Sequence, residues 1–194
     1  FLLGIGFRKG RMLCFFPKHL YQPEIYVSRR GTAQEKGPEQ MLADYLSGEV
    51  SETKRVVIKA HGMGGVGKTQ LALHYMATQA EKYQRRFWFN ASTLDVDFHE
   101  LGVQLGIIEG KEAVSVIKER IKNWFSCDRN TGWLVVFDNA PDYETIKDYL
   151  PSQGGHVLIT SRNPHWSELS DQQFDVDVMT LNEAVATLIK YSRR

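Results

Sequence analysis

Residues Val56 to Gln79 read as an apolar run, a glycine-rich turn and a helix, an order that few folds accommodate. VVIKAHG, Val56 to Gly62, is a short apolar segment ending in glycine, the signature of a buried strand. Gly62, four further residues and then Gly67-Lys68-Thr69 complete the phosphate-loop pattern. Lys68 to about Gln79, rich in Leu, Ala and Met, predicts the helix that follows. Glycines at 62, 64, 65 and 67 let the backbone curl with its N–H groups turned inward and no Cβ in the way. Donors held that way form an anion nest, and the helix adds the positive end of its dipole. A glycine-rich turn beside a surface lysine is the plain alternative. The strand before the turn and the helix after it favour the phosphate cradle.

The rest of the chain repeats the alternation of strand and helix, which predicts an α/β domain with a parallel sheet. RFWFNAS (Arg86 to Ser92), WLVVFDN (Trp133 to Asn139), HVLITSR (His156 to Arg162) and FDVDV (Phe174 to Val178) read as four more strands. Between them Phe98, Leu101, Leu105 and Ile108 fall at helical spacing, as do Val114, Ile117, Ile121 and Trp124. Tyr143, Ile146 and Tyr149 or Leu150 mark another helix closed by Pro151, and Pro38 to Leu46 an earlier one. A last helical pattern begins near Asn182 and runs to Arg194. The expected division is an N-terminal extension at 1–25, a nucleotide-binding domain at 26–180, and the start of a cut-off helical subdomain at 181–194.

Phosphoryl chemistry needs more than a cradle. Within it, Gly62, Gly64, Gly65, Val66, Gly67, Lys68, Thr69 and Gln70 are the expected nucleotide contacts. Lys68 supplies a point charge for the β- and γ-phosphates, and the Thr69 hydroxyl can ligate Mg²⁺. Asp138 ends the apolar run LVVFD, at the carboxyl edge of the sheet where open α/β folds hold ligands. There it is the expected second magnesium ligand, the alternative being a strand-end Asp opening a turn before Pro141. Arg162 stands at the end of another strand, where it can reach a γ-phosphate or simply lie exposed. Lys68, Asp138 and Arg162 are thus the candidate catalytic set, with ATP or ADP and Mg²⁺ as cofactors. Asn139 follows Asp138, and an amide can orient a water but cannot take its proton at neutral pH. Slow hydrolysis is the expectation, with Asp142 in a turn or helix-cap role. His61 and Met63 read as packing residues beside the loop. His74, His99, His156 and His165 read as ordinary surface or packing histidines.

A formal net charge of +1 over 194 residues advertises neither nucleic acid nor an anionic membrane as a direct partner. No apolar stretch approaches the length that crosses a bilayer. Cys14 and Cys127 have no metal-ligand spacing and read as reduced thiols, which together with the nucleotide points to the cytoplasm.

GMGGVGKT, WLVVFDNA and GGHVLITSRN, in this order and spacing, resemble the NB-ARC domain, the nucleotide-binding module of the STAND class of signalling ATPases. Leu181-Asn182-Glu183-Ala184 with Leu188 looks like the family segment that leads into its next subdomain. The resemblance implies a three-layer P-loop fold with a five-stranded parallel sheet in the order 5-1-4-3-2. It also implies a molecular switch, ADP-bound and closed at rest, ATP-bound and assembling when activated. Self-association or a partner protein would then act through flanking domains. The family's upstream signature for adenine is matched by Val27-Ser28-Arg29, with serine in place of glycine, so Val27 and Arg29 join the candidate contacts. The same loop also serves small-molecule kinases and the ATPase modules of transcription regulators, which stand as alternatives.

Overall fold

The computed structural model describes residues 13–15, 26–28, 36–50, 52–60, 65–166 and 172–192. Six strands, β1 (Leu13–Phe15), β2 (Lys54–Lys59), β3 (Arg85–Asn90), β4 (Trp133–Asp138), β5 (Gly155–Thr160) and β6 (Gln172–Asp175), form one sheet in the order β1-β3-β4-β5-β2-β6. Every neighbouring pair is parallel. The five expected strands are β2 to β6, and they take the expected order. The short β1, from the segment expected to be an extension, adds a sixth strand beside β3.

Parallel strands need helical crossovers, and these cover both faces. Six helices are described: α1 (Pro38–Tyr45), α2 (Lys68–Thr78), α3 (Leu94–Gln104), α4 (Val114–Phe125), the single turn α5 (Tyr143–Ile146) and α6 (Leu181–Ser192). Side-chain alternation along each strand splits the core in two. Val57, Phe87, Phe89, Trp133, Val135, Phe137, Val157 and Ile159 pack on one face with Phe98 and Leu101 of α3 and Ile117, Ile121 and Phe125 of α4. Val56, Ile58, Trp88, Leu134, Val136 and Leu158 pack on the other with Leu42 of α1 and Leu71, Ala72 and Met76 of α2. Both faces of β4 and β5 are therefore buried along their whole length, which is why WLVVFD and HVLIT read as unbroken apolar runs.

Several expected boundaries move. Strand β2 begins at Lys54 and β6 at Gln172, each two residues before the apolar run, because half-exposed ends of a strand carry polar side chains. The helix expected to reach Ile108 stops at Gln104. Gly106 turns left-handed at φ 66°, and the N–H groups of Gly106 and Ile107 bond back to the carbonyls of Val103 and Gly102. That pair of bonds is a Schellman ending, and it lets Ile108 fold back into the core.

Candidate functional site

Lys68 and Thr69 open α2 beside the carboxyl ends of β4 and β5, where Asp138 and Arg162 stand. Gly62 and Gly64 lie outside the described residues, with His61, Met63 and Arg29. The second half of the loop carries the expected conformation: Gly65 and Gly67 have φ of 97° and 94°, left-handed values that suit glycine. A Cβ built on Gly65 would meet open space. Val66 between them turns inward and is buried in the core. Helix α2 starts directly at Lys68 with no side chain capping it and no acid in its first turn. Its first N–H groups and dipole are therefore not answered by a capping side chain, an environment that suits a phosphate.

Lys68 is 8% exposed, and Asp138 only 3%. Burial holds the Lys68 ammonium below the ordinary lysine range, and the neighbouring Arg162 guanidinium pushes it further down. Asp138 pulls in the opposite direction. Lys68 thus stands between the repulsion of Arg162 and the attraction of Asp138, and an anion entering beside it would relieve both its burial and that repulsion.

Asp138 is reached from two sides. The Thr69 hydroxyl donates to its Oδ1 at 2.9 Å, and the Thr160 hydroxyl donates to the same oxygen at 2.5 Å. A hydroxyl and a carboxylate side by side are hard oxygen donors, the type that suits Mg²⁺ when phosphates complete the shell. The residues present therefore fit the nucleotide and the metal. Asn139 is exposed and is the one described non-glycine residue in the left-handed region, at φ 58°. Asp142 caps α5, its Oδ1 accepting from the N–H and hydroxyl of Thr145.

The structure brings Thr69 and Asp138 into direct contact and sets Arg162, exposed, within the electrostatic reach of Lys68. Gln70 is exposed on the first turn of α2. The Val27 segment is fastened elsewhere: Tyr26 stacks on His74 of α2 with ring centroids 3.9 Å apart. The Tyr26 and Ser28 hydroxyls both donate to Glu39 of α1, and Lys190 of α6 donates to the Tyr26 carbonyl at 2.7 Å. Two residues carried no signal in the sequence. Thr160 is a fully buried strand hydroxyl. Met179, in the link between β6 and α6, comes near the last glycine of the loop, its Cε 3.7 Å from where a Cβ on Gly67 would stand.

Two solved structures share this fold. The Aeropyrum pernix ORC2 protein, solved in ADPNP–ADP complexes, superposes with a TM-score of 0.55 at 16% identity, over 89% of this chain and 56% of that one. Cdc6p of Pyrobaculum aerophilum gives 0.59 at 12% identity, over 91% and 53%. At these identities the two likenesses show a shared fold. Two curated relatives are similar in sequence. A nucleotide-binding leucine-rich repeat (NLR)-like protein of Hyaloscypha variabilis is 29% identical over 156 residues, covering 69% of this chain. Regulatory protein AfsR of Streptomyces coelicolor is 28% identical over 168 residues, covering 77%. The chain spans only 15% and 16% of the lengths of those two proteins. The model of the NB-ARC domain matches residues 38–191. From the first residue of α1 into the last turn of α6, the chain belongs to the NB-ARC domain family.

Proposed function

We propose that this domain is the adenine-nucleotide switch of a larger signalling protein, ADP-bound and closed at rest and ATP-bound when activated, with slow Mg²⁺-dependent hydrolysis. The observation that carries the reading is the convergence of Lys68, Thr69, Asp138 and Arg162 at one edge of the sheet. Lys68 and the α2 N-terminus would hold the phosphates, and Thr69 with Asp138 would hold Mg²⁺, which neutralises charge on the phosphates when bound. Arg162 would distinguish three phosphates from two, because an exposed guanidinium beside Lys68 gains a partner only when the γ-phosphate arrives. Asn139 offers no proton acceptor where hydrolytic P-loop proteins often carry an acid, which supports a protein that holds its nucleotide longer than it turns it over.

The names of the relatives support a regulatory setting: one is called NLR-like and the other a regulatory protein. Adenine nucleotides are supported by the ADPNP–ADP complexes of the ORC2 protein. Residues 26–180 would form the nucleotide-binding unit, residues 1–25 an extension, and residues 181–194 the beginning of a helical subdomain. Leu181, Val185, Leu188 and Ile189 recur at helical spacing on α6 and are exposed, which supports a protein partner there. Among the described residues no helix is long and apolar enough to cross a membrane. A cytoplasmic location is part of the same proposal.

The test is to purify the protein, denature it and identify the released nucleotide by chromatography, then titrate the emptied protein with ADP and ATP. Retained ADP, with tight rebinding and turnover slower than about one per minute, is expected, well below the typical enzyme rate. A protein that binds neither nucleotide, or that turns ATP over at tens per second, overturns the reading.

A further inference from the structure

The turns that leave β4 and β5 are stitched together, residues 138–141 to residues 160–163. The Ala140 N–H donates to the Thr160 carbonyl at 2.9 Å, and the Ser161 hydroxyl returns a bond of 2.6 Å to the Ala140 carbonyl. The Asn163 side-chain amide donates to the Pro141 carbonyl at 3.0 Å. At the centre lies the Thr160 hydroxyl, fully buried, which accepts from the Asn139 N–H at 3.0 Å and donates to Asp138 Oδ1 at 2.5 Å.

Direction follows from proton counting. A hydroxyl carries one proton. Because the Asn139 N–H already occupies a lone pair of Thr160 Oγ1, the hydroxyl proton points to the carboxylate, and each bond polarises the next. The β-branched Thr160 side chain, held in a strand, has little freedom to break this alignment. Thr69 donates to the same Oδ1, and among the described residues no donor reaches Oδ2. The carboxylate is thereby restrained, with Oδ1 committed to two hydroxyls and Oδ2 without a donor among the described residues. Asn139 contributes through its backbone: it turns left-handed at φ 58°, and its N–H is the one that meets Thr160.

We infer that Thr160 is a positioning residue for Asp138, orienting that carboxylate toward a divalent cation beside Thr69, and that Asn139 serves the same end through its left-handed backbone amide. The inference rests on the nucleotide-binding reading of the site.

The test uses the 194-residue chain with Thr160→Val, Thr160→Ser and Asn139→Gly. Without nucleotide or metal, hydrogen exchange of the Asn139 amide should accelerate about tenfold in Thr160→Val, the scale of one lost hydrogen bond, and stay unchanged in Thr160→Ser. ADP and ATP affinities are then measured with and without Mg²⁺. Thr160→Val should lose about tenfold of the affinity gained from Mg²⁺ while its metal-free affinity stays within about twofold, as expected when one charge-assisted bond is removed. Thr160→Ser and Asn139→Gly should keep the full gain. An undiminished gain in Thr160→Val overturns the role of Thr160, and so does an equal loss with and without metal, which marks a merely structural residue. A lost gain in Asn139→Gly overturns the backbone role of Asn139. Should Thr160→Val fail to fold, judged by its melting transition, Thr160→Ala is read by the same criteria. A wild-type chain that binds no nucleotide even without metal sinks the underlying reading and this inference with it; wild-type binding with normal behaviour of Thr160→Val sinks the inference alone.

Discussion

The hydroxyl of Tyr83 and Nδ1 of His156 lie 2.7 Å apart, both side chains fully buried, with the hydroxyl of Tyr75 3.2 Å from that of Tyr83. Burial, together with Lys82 and Lys54 nearby, pushes His156 down to about 4 from an ordinary value of 6.5. The unfolded chain therefore binds a proton between pH 6.5 and 4 that the folded chain refuses. The contribution of this neutral histidine is complete above pH 6.5 and is lost as pH falls through about 4. Chemical denaturation across that window should show a decline of about 3 kcal/mol attributable to His156. The variant His156→Gln should flatten the profile; a slope identical to the wild type counts against the assignment.

Lys68 should matter for ligand and hardly at all for folding. Its ammonium is buried and faces Arg162, so Lys68→Met removes an unfavourable charge while keeping the apolar stem. ADP affinity should fall by about a hundredfold, the loss of a charge-assisted phosphate contact. The melting temperature of the nucleotide-free protein should not fall. Calorimetry of the emptied variant checks the first, a thermal scan the second.

Gly155 is a packing glycine. A Cβ at that position would stand only 2.3–2.4 Å from the indole ring and the carbonyl oxygen of Trp133, its register partner on β4 and a fully buried residue. Gly155→Ala should cost about 3 kcal/mol, at the upper end of overpacking penalties, because neither the backbone nor a wedged indole can give way cheaply. Guanidinium denaturation measures it; a cost under about 0.5 kcal/mol, typical of a surface site, would be inconsistent with this packing.

Helix α6 opens on a reciprocal capping box. The Glu183 carboxylate accepts from the Thr180 N–H, and the Thr180 hydroxyl accepts from the Glu183 N–H. Thr180→Ala should destabilise the helix locally by about 1 kcal/mol. The expected signature is faster amide exchange in the first turn of α6 with no change in the exchange of β4 and β5.

Much of this was legible in the sequence, for physical reasons that differ by residue. The runs VVI, FWF, LVVF and VLI announced themselves because parallel strands are buried on both faces, and their order in the sheet followed from the family motifs. Strand β1 was not legible, since three residues of edge strand carry no periodicity and no two-sided burial. Thr160 was invisible for a related reason: a hydroxyl inside a strand looks the same whether it faces a carboxylate or a neighbouring backbone. Asn139 was read through its side chain, whereas its geometry lies in the backbone torsion. Met179 reaches Gly67 from more than a hundred residues away along the chain, a proximity that spacing alone does not encode.

Helix α6 is tied in its last turn, where Lys190 holds the Tyr26 carbonyl, while Met179 just before its start has its Cε 3.7 Å from where a Cβ on Gly67 would stand. Met179 and Lys190 stand about 15–18 Å apart along the helix axis, given the rise of an α-helix. Any movement of α6 away from the sheet would therefore have to give up the Lys190 bond to the Tyr26 carbonyl, which ties the last turn of the helix to a segment 164 residues earlier in the chain.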